Sequence, residues 1–206
     1  MTTLPEEPER PGLRERRKQS TRRALEDAAL RLFARDGFDA TTIEAIAAEA
    51  EVSPRTFFRY FASKDEVLNP EREQRQGQLA DEIRRGAEEP VDDLALVVRA
   101  LVALAPQFEA EQEQMALRRQ AASSSALLRG RLLDVLISWE HAVARALAER
   151  HGTERHDLGP EVTAAAAVHV WQVALARWLR DPSTGLADQI EAAFAALAQA
   201  GSRDTP

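Results

Sequence analysis

Arg55, Thr56, Arg59 and Tyr60 stand within one stretch of six residues. At about 100° per residue they fall on one side of a helix, opposite Phe57 and Phe61, which stack with Val52 on the other. That outer side is rich in hydrogen-bond donors. An arginine fork matches the O6 and N7 acceptors of guanine or grips a phosphate, threonine and tyrosine hydroxyls suit phosphate oxygens, and methyl or ring carbons can touch a thymine methyl. The chemistry is that of reading a nucleic acid. The spacing alone also fits an ordinary helical hairpin with a solvated, charged face.

The elements that must hold this face lie between Thr41 and Lys64, TTIEAIAAEAEVSPRTFFRYFASK. Thr41 with Glu44 three residues on makes a capping box, and Ile43, Ile46 and Ala47 come next at helical spacing, so a short amphipathic helix is expected up to Ala50. A four-residue turn succeeds it. Ser53 is a good N-cap, and Pro54 sits at the first helical position, where its missing N–H costs nothing, so a second helix starts there.

These residues resemble the TetR/AcrR family of bacterial transcriptional regulators. The resemblance runs from about Ser20 to Leu68: A-A-x-x-L-F-A-x-x-G-F at Ala28 to Phe38, T-T-x-x-x-I-A at Thr41 to Ala47, and V-S-x-x-T-x-F-x-Y-F-x-S-K at Val52 to Lys64. It implies that the helix after the turn enters the major groove, with Pro54, Arg55, Thr56, Phe58, Arg59 and Tyr60 facing the operator. Thr42 and Lys64 match positions that hold phosphates at helix N-termini. With the cap Ser53, these form the expected DNA-contact set. One residue departs from the family pattern, Glu51 in place of the usual glycine at the turn, where a left-handed conformation would cost about 1 kcal/mol.

The chain has 206 residues and no cysteine, long enough for a real core that leans on neither disulfides nor thiolate metal sites. Its start, MTTLPEEPERPG, is polar and proline-rich, and no later run is long and uncharged enough to span a bilayer, so a soluble cytoplasmic protein is expected. A net charge of −7 first argues against DNA binding. From Arg10 to Leu68, however, twelve Lys and Arg oppose ten Asp and Glu, a balance of +2. Arg10, Arg14, Arg16, Arg17, Lys18, Arg22 and Arg23 cluster early, and residues 1–18 read as a flexible basic arm able to track phosphates. The same arm fits a solubilising tail.

Residues 19–68 read as the DNA-binding domain, with the helix-turn-helix at 42–61, and 69–206 as a helical effector-binding and dimerisation domain. Leu25, Ala28, Ala29, Leu32 and Phe33 make the stripe of a first helix that stops at Gly37. Ser63 and Glu66 form another capping box, so a fourth helix is expected from there, kinked at Pro70 and thinly anchored through Arg85. Beyond Gly86 to Pro90 only helices are expected, over 91–108, 109–122, 126–151, 160–179 and 186–200, with Pro106 interrupting or kinking the first. The fold class is all-α, with about nine helices.

Thr163 to Leu179 is apolar nearly all round, more than one domain's own core requires, and Leu186, Ile190, Phe194 and Leu197 form a stripe on the last helix. The two helices pairing with their copies would make a four-helix bundle, with Ala166, Val170, Val173, Ile190, Phe194 and Leu197 at the interface. A buried core helix in a monomer is the alternative. Candidate ligand contacts are Phe108, Met115, Arg118, Trp139, His141, His169, Trp171 and Trp178, although Trp171 and Trp178, seven apart, fit core packing equally. His141, His151, His156 and His169 lack metal-ligand spacing, so no metal and no cofactor are expected. There is no phosphate loop, nucleophile elbow or HExxH. The expected function is a non-enzymatic regulator, a homodimer released from a palindromic operator by a small molecule. The other class open to this sequence is a helical interaction or carrier protein that no longer reads DNA.

Overall fold

The computed structural model describes residues 13–68, 72–153 and 157–202. The chain divides into two compact units, Met1–Leu68 and Asn69–Pro206. Among the described residues there are helices and no strands.

The first unit contains α1 (Leu13–Asp36), α2 (Ile43–Glu49), α3 (Pro54–Tyr60) and a 3₁₀ turn, Glu66–Leu68. Helix α1 begins at Leu13, so the arm expected over 1–18 is helical from Leu13 onward, and its first twelve residues lie outside the described ones. The reason is local. Neither glycine nor proline occurs between Leu13 and Asp36, the run is rich in straight-chain helix formers, and Arg22 pairs with Glu26 one turn on at 3.1 Å. Gly37 ends the helix at φ 85°, its N–H bonded to the Phe33 carbonyl. Leu25, Ala29, Phe33, Phe38, Ile46, Phe57, Phe61 and Val67 then form one buried core.

Two caps sit away from their expected places. Thr42, not Thr41, caps α2: its Oγ1 accepts the Ala45 N–H at 3.1 Å. Thr41 is buried, and its hydroxyl donates to the Gly37 carbonyl at 2.8 Å, which closes the α1–α2 turn and shifts the cap onward. Likewise Glu66 accepts from the Ala62 N–H at 2.5 Å rather than from Ser63, and Glu66 opens the 3₁₀ turn instead of an α-helix. The fourth α-helix starts only at Arg72, and the kink expected at Pro70 lies outside the described residues.

The second unit holds α4 (Arg72–Arg85), α5 (Asp93–Glu109), α6 (Gln112–Ser124), α7 (Ala126–His151), α8 (Leu158–Arg180) and α9 (Leu186–Ser202). Four of the five expected C-terminal helices begin within two residues of their expected starts, and α6 begins three residues late. Pro106 does not interrupt α5, which runs on to Glu109. Helix α4 is not thinly anchored. Leu79 and Ile83, four apart on one face, are fully buried, and α4 packs on both α5 and α7. Gly86 follows its last residue, where a Cβ would press on the Leu96 side chain of α5 and make it shift. Arg150 of α7 reaches the Glu89 and Val91 carbonyls at 2.9 and 2.8 Å and fastens this turn. At the other end Glu109 Oε1 accepts the Leu186 N–H at 2.6 Å and satisfies an amide at the start of α9.

Candidate nucleic-acid interface and effector pocket

Helix α3 is aimed by its start. Ser53 has extended φ/ψ, and its Oγ accepts the Thr56 N–H at 3.2 Å while sharing a 3.0 Å hydrogen bond with the Thr56 hydroxyl. The turn before it is a Schellman motif: the Val52 N–H bonds to Ala47 O at 2.8 Å and the Glu51 N–H to Ala48 O at 3.1 Å. Glu51 takes the left-handed place at φ 55°, so the motif keeps its shape without the usual glycine. The cost expected from the sequence is therefore present.

The exposed side of α3 carries Pro54, Arg55, Phe58 and Arg59, with Thr56 and Tyr60 half-buried. Phe57 is completely buried beneath them and meets Phe58 edge-on at 5.7 Å and Phe61 at 5.5 Å. Phe58 itself is 57% exposed, a bare phenyl ring among charged groups. Arg59 lies over the Tyr60 ring at 5.1 Å, which restricts its guanidinium before any partner arrives. Thr42 is exposed at the start of α2, and after capping still has a hydroxyl proton to donate. Arg14, Arg16, Arg17, Lys18 and Arg23 line the exposed first turns of α1.

Lys64, expected to hold a phosphate, also makes contacts within the unit. Its Nζ donates to the Phe38 carbonyl at 2.7 Å and the Thr41 carbonyl at 2.9 Å, and it lies over the Phe38 ring at 4.2 Å. Two of its three donors are thus spent inside the unit, where they tie the α1–α2 turn to the segment after α3. A lysine in an S-K pair carries no sequence signal of such a clamp, because its partners are main-chain oxygens more than twenty residues away.

In the second unit Trp139 of α7 and Trp171 of α8 stack at 5.4 Å with 17° between planes. Phe108 of α5 meets Trp171 at 5.4 Å and Trp139 at 6.3 Å. The Arg75 guanidinium covers Phe108 at 5.0 Å and bonds to Glu111 at 2.5 Å, and Arg118 bonds to the other Glu111 oxygen at 3.3 Å and to Met115 Sδ at 3.4 Å. Arg75 and Arg118 are only 6% and 7% exposed. Burial pushes the Glu111 carboxyl up, but the hydrogen bond and charge of Arg75, with Arg118 behind them, outweigh it and hold the group below the usual carboxylate range. Trp171 Nε1 is buried with no hydrogen-bond partner among the described residues, a state that costs about 1–3 kcal/mol.

Five of the eight candidate ligand residues therefore join one cluster: Phe108, Met115, Arg118, Trp139 and Trp171. Trp178 is buried in the surrounding core. His141 and His169 do not belong. Both are exposed: His141 borders a surface cleft of about 360 Å³ between α4 and α7, and His169 turns back to the Ala165 carbonyl at 3.0 Å and to Glu140. Sequence reading missed Arg75 and Glu111. Arg75 had a signal, standing four before Leu79 and eight before Ile83 on the buried face of α4. Among the described residues no group of His, Asp and Glu could hold a metal ion.

The expected interface residues separate into two sets. On α8, Val173 is 55% exposed and Val162 57%, with Ala166 and Val170 half-buried between them, so an apolar strip remains open. On α9, Ile190 and Phe194 are instead buried in the unit's own core against α5 and α8, and only Leu197 is exposed. The Leu186, Ile190 and Phe194 stripe has its partner within the same chain.

Residues 25–69 match the family profile described as bacterial regulatory proteins, tetR family, and residues 91–201 match the MftR C-terminal domain. The HTH-type transcriptional regulator TcmR of Streptomyces glaucescens is 35% identical over 186 residues, 87% of this chain and 82% of that protein. A Mycobacterium tuberculosis regulator assigned to mycofactocin biosynthesis, MftR, is 28% identical over 183 residues, 87% of this chain and 90% of its own length. The crystal structure of Thermus thermophilus FadR, a repressor in complex with lauroyl-CoA, superposes with a TM-score of 0.57 at 24% identity, covering 90% of this chain and 97% of that one. No helix among the described residues is long and apolar enough to cross a membrane.

Proposed function

This chain belongs to the TetR family of bacterial regulatory proteins and is a DNA-binding transcriptional regulator, and on that footing we propose that it is a repressor whose homodimer leaves a palindromic operator when a small molecule binds its C-terminal unit. The observation that carries the reading is the exposed face of α3, where Arg55, Phe58 and Arg59 stand outward on a helix fixed from beneath by Phe57 and Phe61. Dimerisation is supported by the open strip of Val162, Ala166, Val170 and Val173 on α8. Two reading heads about 34 Å apart would meet successive major grooves on one face of B-DNA.

Release by an effector is supported by Arg75. It lies in α4, the first helix after the DNA-binding unit, and is tied to Glu111 between α5 and α6. A ligand that competes for this tie acts on the helix through which the chain joins its two units. A tenfold loss of DNA affinity requires it to favour the non-binding state by only about 1.4 kcal/mol, and DNA must weaken ligand binding by the same factor. The test is selection of bound DNA from a random pool by the full-length protein. A recovered palindrome is expected; failure to enrich any sequence would favour an interaction protein of the same fold.

A further inference from the structure

Within the second unit a flat aromatic wall, two buried guanidinium groups and one unanswered indole N–H form a connected cluster. Trp139 and Trp171 stack, Phe108 meets both, Arg75 covers Phe108, and Arg118 reaches the same Glu111 as Arg75. Well-packed cores give a buried tryptophan an acceptor for its N–H. Trp171 is 5% exposed, and its Nε1 has none among the described residues.

We infer that this cluster is the effector site and that its ligand is a planar aromatic molecule bearing a carboxylate or similarly anionic oxygen. The inference rests on the effector-responsive reading above and names the class of ligand that reading leaves open. An aromatic ring is the shape that stacks on a tryptophan face such as that of Trp139 or Trp171, since flat rings pair in offset stacks. An anionic oxygen satisfies the orphan indole N–H or takes the place of Glu111 on the guanidinium forks, which hold carboxylates in a bidentate grip. Met115, half-buried beside Arg118, is a side chain that reshapes readily around such a guest. An aliphatic chain would leave the ring faces unused. A neutral aromatic would leave the guanidinium groups without a gain.

Trp139 and Trp171, two of the chain's three tryptophans, make the site its own reporter. Tryptophan fluorescence of the full-length protein is titrated with 2-naphthoate, 2-naphthalenemethanol and decanoate, which separate ring from charge. Saturable quenching by 2-naphthoate is expected, with affinity about tenfold above either of the others. Trp171→Phe keeps a ring but removes the N–H, and Arg118→Met keeps bulk but removes the charge. Each is expected to weaken 2-naphthoate about tenfold while the thermal midpoint confirms a folded protein. Decanoate binding more tightly than 2-naphthoate, no saturable quenching, or 2-naphthoate affinity unchanged in both variants would overturn the assignment. DNA affinity measured on the same samples separates the two readings. Decanoate that lowers DNA affinity where 2-naphthoate does not bind overturns the ligand class and leaves effector control standing.

Discussion

Two glutamates show how much a single position decides. Glu51 holds φ 55° at the turn between α2 and α3, where a Cβ crowds the following carbonyl and glycine does not. Glu51→Gly removes that strain but gives the unfolded chain more freedom, so a net gain of up to about 1 kcal/mol is expected, whereas the β-branched Glu51→Val should lose at least that much. Urea midpoints at constant m-value decide both. Glu111 gives a pH dependence of known sign. Its folded pKa lies below the ordinary 4.5, so it contributes stability that is fully present above that value and is lost as pH falls through the depressed folded one. Glu111→Gln should therefore be less stable than the natural protein at neutral pH, with the gap narrowing as the solution is acidified below 4.5. A gap that stays constant over that range would disprove the linkage.

At the level of the element, α3 and the segment after it do different work. Arg55 and Arg59 stand on the exposed face of α3 and support little of the core. Arg55→Ala or Arg59→Ala should cost about 1–3 kcal/mol of binding to the selected site, with the unfolding midpoint unchanged. Lys64 holds two main-chain carbonyls together across the unit. Lys64→Met should cost about 1.5–3 kcal/mol of stability, because hydrogen bonds from a charged donor are lost and their acceptors remain part-buried. Gel-shift titration beside circular dichroism separates the roles. A Lys64 variant with an unchanged midpoint and a flatter salt slope would support the phosphate role implied by the family resemblance.

For the molecule as a whole, the proposed dimerisation turns on which apolar face the chain leaves open. The apolar strip on α8 is exposed at Val162 and Val173, with Ala166 and Val170 half-buried between them, whereas Phe194 is buried in the unit's own core. A charge at Val173 should therefore break a dimer and spare the fold, because a surface residue tolerates it in the monomer but an interface cannot bury it unpaired. Light scattering on Val173→Glu should report a monomer with unchanged helicity, beside a dimeric natural protein. A Phe194→Glu protein should instead lose helicity, since the same charge then falls in the core. Dimeric Val173→Glu would move the interface elsewhere.

Local chemistry along the chain was enough to specify most of the helices and the exposed side of α3, though not the 3₁₀ turn at Glu66 or the late start of α4. Helix spacing, Ser53 before Pro54, Gly37 and Gly86 act within a turn or two of chain, so the register of α3 and the order of α1 to α9 come from near neighbours. The family resemblance implied a groove-facing set for that register, and α3 has Pro54, Arg55, Phe58 and Arg59 on its exposed side. Which of several apolar or charged faces met which was settled in three dimensions alone. Ile190 and Phe194 had a stripe suited to a partner chain, yet α5 and α8 of the same chain cover it. Lys64 had the charge for a phosphate, and main-chain oxygens more than twenty residues earlier hold two of its donors. Arg75 lay in a polar helix that looked loosely held, yet Glu111, 36 residues on, draws it inside. Each outcome depends on contacts between segments far apart in sequence, and local periodicity records that a face wants burial but not what will bury it.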